Sequence, residues 1–277
     1  PPMDNLSHTL TGLALSRAGL HKYCPHATLL LIVAANLPDI DMVSMLSTRA
    51  ANLLVHRGYT HTLIGLPVMA VLSVLVTAAI VRKRLPWTNA YLLASIGVAS
   101  HLLLDWSMSY GMRLLLPFSS AWSYLDIFSL TDWVVVAVLL AAWLWPFLAR
   151  LVSDEIGARR STGRGVAIAA LVFFVLYGGF RAVLHDRAIG QLESRLYPEH
   201  EGLVQRVAAL PESLNPFEWN GFVETGDAYH LYQVPSFQNF DPGAGSTFYK
   251  QEWTADVAAA SKTVPFQAMS YFARFQH

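Results

Sequence analysis

Thiols are almost missing from this chain: Cys24 is the single cysteine in 277 residues. One cysteine excludes an internal disulfide, and the lack of any CxxC pair excludes the thiolate-rich zinc sites. Charge is scarce as well. Asp, Glu, Lys and Arg make up 14%, against roughly 25% in a soluble domain. Neither sign is in excess, with 19 basic and 19 acidic residues, so nothing argues for a nucleic-acid partner. A basic n-region followed by a small-residue cleavage pattern is also lacking, so no cleaved signal peptide is expected. Pro1-Pro2 reads as an addition ahead of a natural start at Met3. What is abundant is apolar surface: 54% of residues are hydrophobic and the mean hydropathy is +0.38. Lipid is the expected solvent for part of the chain.

The apolar runs predict a polytopic, mainly α-helical membrane protein. Residues 6–20 and 26–37 read as two short helices joined at His21-Lys22-Tyr23-Cys24-Pro25, the second stopped by Pro38. Each is shorter than the ~20 apolar residues a span needs, so a hairpin of short helices is expected, with a re-entrant course in the bilayer as one form of it. About four transmembrane helices follow, at 62–81, 90–106, 132–151 and 165–184. Pro67 is tolerable inside the first. Residues 185–277 are polar and carry no span. There the alternation in Trp219–Thr225 and Tyr229–Val234 around Gly226-Asp227 predicts a β-hairpin, and a helix is expected near 251–261. Two domains result: 1–184 embedded in the membrane, and 185–277 as a small α+β domain. Arg82, Lys83 and Arg84 fall in one loop, and Arg150, Arg159, Arg160 and Arg164 in or beside another, with only Arg113 in the loop between. The positive-inside rule then puts the basic loops in the cytoplasm, and the outer side receives the C-terminal domain.

The chemistry-bearing residues fall at that outer side. His56-Arg57-Gly58-Tyr59-Thr60-His61-Thr62 packs two histidines and an arginine at the lip of an apolar run. His56 and His61 are five apart, which is no same-face helical spacing, so at least one sits on a loop or cap. Both can then reach one ion, or one of them is structural. His101 and Asp105 are four apart and share a helix face. A carboxylate inside a membrane segment is costly and usually functional; a buried pair that fixes helix packing is the competing reading. Asp39 and Asp41 flank Ile40 after Pro38. In an extended loop both face one side, as one ligand and one carboxylate behind a ligating histidine; a Pro-Asp turn is the alternative. The expected hairpin returns Asp39 to the end of the fold that holds His8. Arg57 has the planar fork that suits phosphate, or it meets a lipid headgroup or a surface carboxylate. Asp132 precedes a helix and is expected to cap it. Asp126 has no such role and is a candidate ligand or base.

Nitrogen and oxygen donors without thiolate suit zinc, with manganese or iron as alternatives. The number of candidates allows one to three ions. A bound divalent ion lowers the pKa of its water towards ~7 and can clamp phosphoryl oxygens.

Met3-Asp4-Asn5-Leu6-Ser7-His8-Thr9-Leu10-Thr11-Gly12, Leu37-Pro38-Asp39-Ile40-Asp41, the His56–Thr62 stretch and His101-Leu102-Leu103-Leu104-Asp105 together resemble the YdjM-like family of bacterial inner-membrane proteins. The likeness runs over residues 3–135, and Leu210-Pro211 and Asn215-Pro216-Phe217-Glu218-Trp219 are similar to the family's longer members. The resemblance implies a metal-dependent hydrolase of the inner membrane. Through a distant similarity to zinc-dependent phospholipase C and P1-type nucleases, it implies His8, Asp39, His56, His101 and Asp105 as ligands. With His61 added from the motif, the expected metal set is His8, Asp39, His56, His61, His101 and Asp105. Asp41, Asp126 and Arg57 are expected to do the catalytic work. The expected reaction is phosphoester hydrolysis on a membrane lipid at the outer face. A lipid amide or ester hydrolase is a second reading. An ion- or proton-coupled transporter is a third, since intramembrane His and Asp also mark ion pathways.

Overall fold

Helices form where the apolar runs predict them, and small residues set how closely they approach. The computed structural model describes residues 4–48, 53, 55–156, 163–195, 197, 204–250, 254–272 and 274. The chain divides into two compact units, residues 1–40 with 59–180, and 41–58 with 181–277.

In the first unit, α1 (Asp4–Ala18) and α2 (Ala27–Asn36) form the expected helical hairpin. The turn between them uses Gly19 at φ 137° and His26 at φ 59°. Hydroxyls and an amide tie the arms together: Ser16 Oγ lies 2.6 Å from Thr28 Oγ1, and Thr9 Oγ1 donates to Asn36 Oδ1 at 3.2 Å. Leu30, Leu31, Ala34 and Ala35 of α2 are fully buried. They pack with α3 (Gly65–Val81) and α4 (Trp87–Ser107) around Met69, Val74, Leu93 and Val98. A Cβ on Gly97 would stand 2.7 Å from the Ala34 Cβ, and one on Gly12 2.7 Å from the Leu31 carbonyl oxygen. Glycine at both positions lets α1 and α4 close on α2, the small-residue contact common between helices in membranes. Pro67 lies in the first turn of α3, where its missing N–H costs nothing. A second core joins Leu10 and Ala14 of α1 to Met108, Phe128, Val135 and Leu139. The last two lie on α5 (Trp133–Ile156). Asp132 caps that helix as expected, its Oδ1 accepting from the Val134 and Val135 amides at 3.0 and 3.2 Å.

Two expectations change here. Pro38 does not end the helical run in an extended loop. The chain passes from α2 directly into a 3-10 helix, Leu37–Leu46. Proline's fixed φ near −65° is compatible with 3-10 geometry, and at its start no N–H is needed. The extra turns also change the count of candidate spans. Among the described residues, Ala27–Leu46, Trp133–Leu151 and α6 (Arg164–Glu193) are long and apolar enough to cross a membrane and Gly65–Val81 is apolar but shorter, whereas Trp87–Ser107, which covers the span expected at 90–106, is not among these candidates. Arg159 and Arg160, which entered the orientation reading, lie outside the described residues.

The second unit carries a four-stranded antiparallel sheet in the order β1 (Arg206–Pro211), β2 (Glu218–Glu224), β3 (Ala228–Pro235), β4 (Ser246–Tyr249). The β2–β3 hairpin is the one the alternation predicts. Its turn is held by Thr225, whose N–H donates to the Ala228 carbonyl at 2.9 Å and whose Oγ1 donates to Asp227 Oδ1 at 3.0 Å. Trp219, Val223 and Val234 are fully buried against Leu184, Ala188 and Leu192 of α6. Arg181 lies over the Trp219 ring at 4.3 Å and donates to the Pro216 carbonyl. Two short helices follow, α7 (Ala255–Ala260) and α8 (Val264–Phe272). The first lies within the helix expected near 251–261, of which 251–253 fall outside the described residues.

Candidate metal centre

Four side chains from three parts of the first unit converge on one point. Asp39 comes from the 3-10 helix after α2, and His61 from a short 3-10 turn, Tyr59–His61, ahead of α3. His101 and Asp105 come from successive turns of α4. One donor atom from each lies within 4.8 Å of every other. His61 Nε2 is 3.1 Å from His101 Nε2, 3.2 Å from Asp105 Oδ2 and 3.4 Å from Asp39 Oδ1. His101 Nε2 is 3.4 Å from Asp105 Oδ2 and 3.7 Å from Asp39 Oδ1. A tetrahedral ion with ligands at ~2.0–2.2 Å has donor–donor edges of about 3.3–3.6 Å. The five observed edges scatter about that value.

The protonation pattern agrees with this. His101 Nδ1 lies 2.8 Å from the Ala35 carbonyl oxygen, which can only accept. Its proton is therefore on Nδ1 and its Nε2 lone pair faces the centre. His61 Nδ1 is held 2.8 Å from the Thr60 hydroxyl, which fixes that ring when the hydroxyl accepts. Two imidazole nitrogens facing each other at 3.1 Å need a proton or a cation between them. Two carboxylates at the same point favour the cation, because like charges in a buried place repel strongly. His61, His101 and Asp105 side chains are completely buried and Asp39 is 8% exposed. The group is thus a candidate metal centre with two nitrogen and two oxygen donors.

His8 adjoins this group. Its ring stacks on His101 with centroids 3.9 Å apart. Its Nε2 is 3.3 Å from Asp105 Oδ1, while Oδ2 of the same carboxylate is the oxygen that lies near His61 and His101. Asp126 is buried and takes φ 54°. Its neighbours are pinned to the end of α4, Leu125 N–H to the Trp106 carbonyl at 3.0 Å and Ile127 N–H to that of Ser107 at 2.9 Å. It is not one of the four converging donors.

In the second unit Asp41 accepts from two neighbours of the histidine motif. His56 Nδ1 lies 2.8 Å from Asp41 Oδ1, and the Arg57 amide donates to Oδ2 at 3.0 Å. Arg57 has φ 56° and is only 2% exposed. The motif therefore splits: His61 joins the four-donor group and His56 pairs with Asp41. Sequence reasoning gave no place to Thr60 or to the Ala35 carbonyl. A backbone carbonyl leaves no sequence signal, and Thr60 reads as ordinary beside two histidines.

A helical bundle with membrane-length apolar helices and a buried His/Asp group defines an integral membrane protein with a candidate metal site. The chain belongs to the YdjM inner membrane protein family, which it matches over residues 3–188. It is also similar to the uncharacterised protein YfhP of Bacillus subtilis (strain 168), at 22% identity over 243 residues, 83% of this chain and 67% of that one. No solved structure matches.

Proposed function

We propose that this protein is a membrane-bound, metal-dependent hydrolase acting on a lipid, with a phosphoester as the first candidate bond. The observation that carries the metal part is the convergence of His61, His101, Asp39 and Asp105 at tetrahedral spacing in a buried place. Zinc fits a borderline set of two imidazoles and two carboxylates, with manganese or iron next. When bound, such an ion acidifies its water and stabilises charge developing on an oxygen. The hydrolase part rests on the family resemblance of the motifs.

In this reading Asp105 holds the ion through Oδ2 and meets His8 through Oδ1, where His8 serves as a further ligand or braces the carboxylate. Ala35 and Thr60 hold the two ligating rings in their tautomers, as partners of metal-bound histidine usually do. His56 and Asp41 are a histidine–carboxylate pair, five residues ahead of His61 and two residues after Asp39, suited to accepting and relaying a proton. Asp126 is the other candidate base and Arg57 a candidate phosphate holder. The site is assigned to the outer face of the bacterial inner membrane, where a lipid headgroup enters. Residues 1–184 are assigned as the embedded domain and residues 185–277 as an extracytoplasmic one.

One observation favours a second reading. Four protein donors make a closed set, typical of structural ions, whereas catalytic sites keep a position open. In that case the ion locks α2, α3 and α4 together. The test is headgroup release from defined phospholipids by zinc-reloaded protein in maltoside micelles. Release that stops with a chelator and in His101→Ala supports the hydrolase. A metal-loaded protein inert on phosphoester, ester and amide lipids alike points to the structural ion.

A further inference from the structure

Scattered exposed apolar side chains are normal, whereas a group of them on rigid loops marks an interaction surface. Leu214, Phe217 and Phe237 form such a group in the second unit, at 81%, 43% and 63% exposure. The Phe217 and Phe237 ring centroids lie 5.5 Å apart. The loops that carry them are fastened. Phe217 N–H donates to Asn215 Oδ1 at 3.0 Å, Glu218 N–H to the Asn215 carbonyl at 3.2 Å, and Ser236 N–H to the Phe217 carbonyl at 2.8 Å. The course of β2 along α6 shows which end of the hairpin this is. Trp219 meets the Arg181 guanidinium at 4.3 Å and the His185 ring at 5.3 Å, whereas a Cβ on Gly221 would stand 2.9 Å from Leu192 Cδ2. β2 thus runs towards the C-terminus of α6. Its start is held back at Arg181, which donates to the Pro216 carbonyl. Along α6 the exposed residues include Val175, Leu176, Phe180 and Val183, then Asp186 and Arg187. The exposed surface turns from apolar to charged within one helical turn, and a bilayer crossed by α6 ends its hydrocarbon core there. A helical side chain leans towards the helix N-terminus, so Pro216 and its neighbours lie at that level. The far end of the sheet is ionic instead, with Glu224 paired to Arg206 at 3.0 Å and to Lys250 at 2.9 Å.

We propose that the open end of the β2–β3 hairpin is a membrane-docking surface. Its partner is the lipid interface around α6, with Leu214, Phe217 and Phe237 inserted between headgroups and acyl chains. The docking requires α6 to span the bilayer and is independent of the metal centre. It gives the sheet a second attachment to the membrane besides α6. The attraction is apolar in kind: Glu212, Glu218 and Asp241 line the cavity that adjoins Leu214, so an anionic lipid surface adds nothing to it.

The experiment uses the full chain with Cys24→Ser, reconstituted into phosphatidylcholine vesicles. A nitroxide is attached at Leu214→Cys, Gln238→Cys, Gly226→Cys or Leu176→Cys in turn, all of them exposed positions that a label fits without disturbing a core. Collision with oxygen, which concentrates in lipid, is compared with collision with a neutral nickel chelate, which stays in water. The expected result is an oxygen-dominated signal at Leu214, at Gln238 and at the mid-helix reference Leu176, with a nickel-dominated signal at Gly226 beyond the far end of the hairpin. Leu214→Ser with Phe237→Ser should return the Gln238 label to the Gly226 value, because each apolar side chain favours insertion by about tenfold or more. The depth readings decide the matter where that variant does not fold. Water-like signals at Leu214 and Gln238 beside a lipid-like Leu176 overturn the docking. Low collision with both probes means cover by protein, such as a second copy, and overturns it too. So does insertion that appears only when phosphatidylglycerol is added, since the attraction is then ionic, and so does a folded serine variant whose Gln238 label stays in lipid. A water-like Leu176 removes the span and the docking with it.

Discussion

Replacing Asp105 by asparagine should reverse the sign of its stability effect when metal is added. Asparagine keeps the size of the side chain and an oxygen, but removes the charge. Asp105 Oδ2 lies 3.2 Å from His61 Nε2 and 3.4 Å from His101 Nε2, with no solvent exposure. Structural zinc binding amounts to about 10–16 kcal/mol over four ligands, so one ligand carries about 2.5–4 kcal/mol. Asp105→Asn should therefore weaken zinc binding by about 10²–10³-fold. In chelator the balance changes. Asp105 and Asp39 are then two carboxylates at one buried point, and removing one charge relieves their repulsion. The variant should melt at or above wild type in chelator and clearly below it in saturating zinc. Zinc competition with a chromophoric chelator and thermal unfolding in detergent, each with and without metal, read the two effects. A variant that loses the same stability under both conditions, with unchanged zinc affinity, would refute the reasoning and leave Asp105 as a packing residue.

Other substitutions probe the scaffold. Gly97→Ala puts a Cβ where the Ala34 Cβ already stands at 2.7 Å, and should cost about 1–3 kcal/mol by overpacking; because α4 carries His101, zinc affinity should fall with it. Trp219→Ala empties a fully buried position in the sheet and should cost about 3–5 kcal/mol, read as early proteolysis within 204–250 while zinc content stays normal. Burial pushes the Glu224 carboxyl up, but Lys250 at 2.9 Å and Arg206 at 3.0 Å outweigh it and hold the carboxyl below its usual value. A depressed folded-state pKa gives stability that is complete above the unfolded value of about 4.3 and is lost as pH falls below it. The stability gap between wild type and Glu224→Gln should be present at pH 7 and close towards pH 3, as followed by Trp fluorescence; a gap that widens in acid contradicts the assignment.

The helix pair His101/Asp105 was legible because the 3.6-residue period alone puts i and i+4 on one face. Asp39 was legible as a donor but not in its setting: Pro38 reads equally as the end of one helix and the start of a 3-10 helix, and only packing against α4 decides. For the same reason the helix was read as 26–37 alone, too short to span. The histidine motif announced a site without saying which ring would reach it, since a spacing of five leaves the backbone between them free to turn; the structure sends His61 to Asp105 and His56 to Asp41. In the C-terminal part, β2 and β3 showed clean alternation around Gly226-Asp227. β1 is Ala-rich and β4 has four exposed residues, so neither carries a period strong enough to read.

The central claim is that Asp39, His61, His101 and Asp105 hold a metal ion. Metal content by mass spectrometry tests it most directly, on detergent-purified protein never exposed to chelator, beside His101→Ala and Asp105→Ala. The account predicts at least one equivalent of a transition metal in wild type and its loss in both variants. Wild-type protein that carries none, and takes none up when zinc, manganese or iron is supplied, would contradict it.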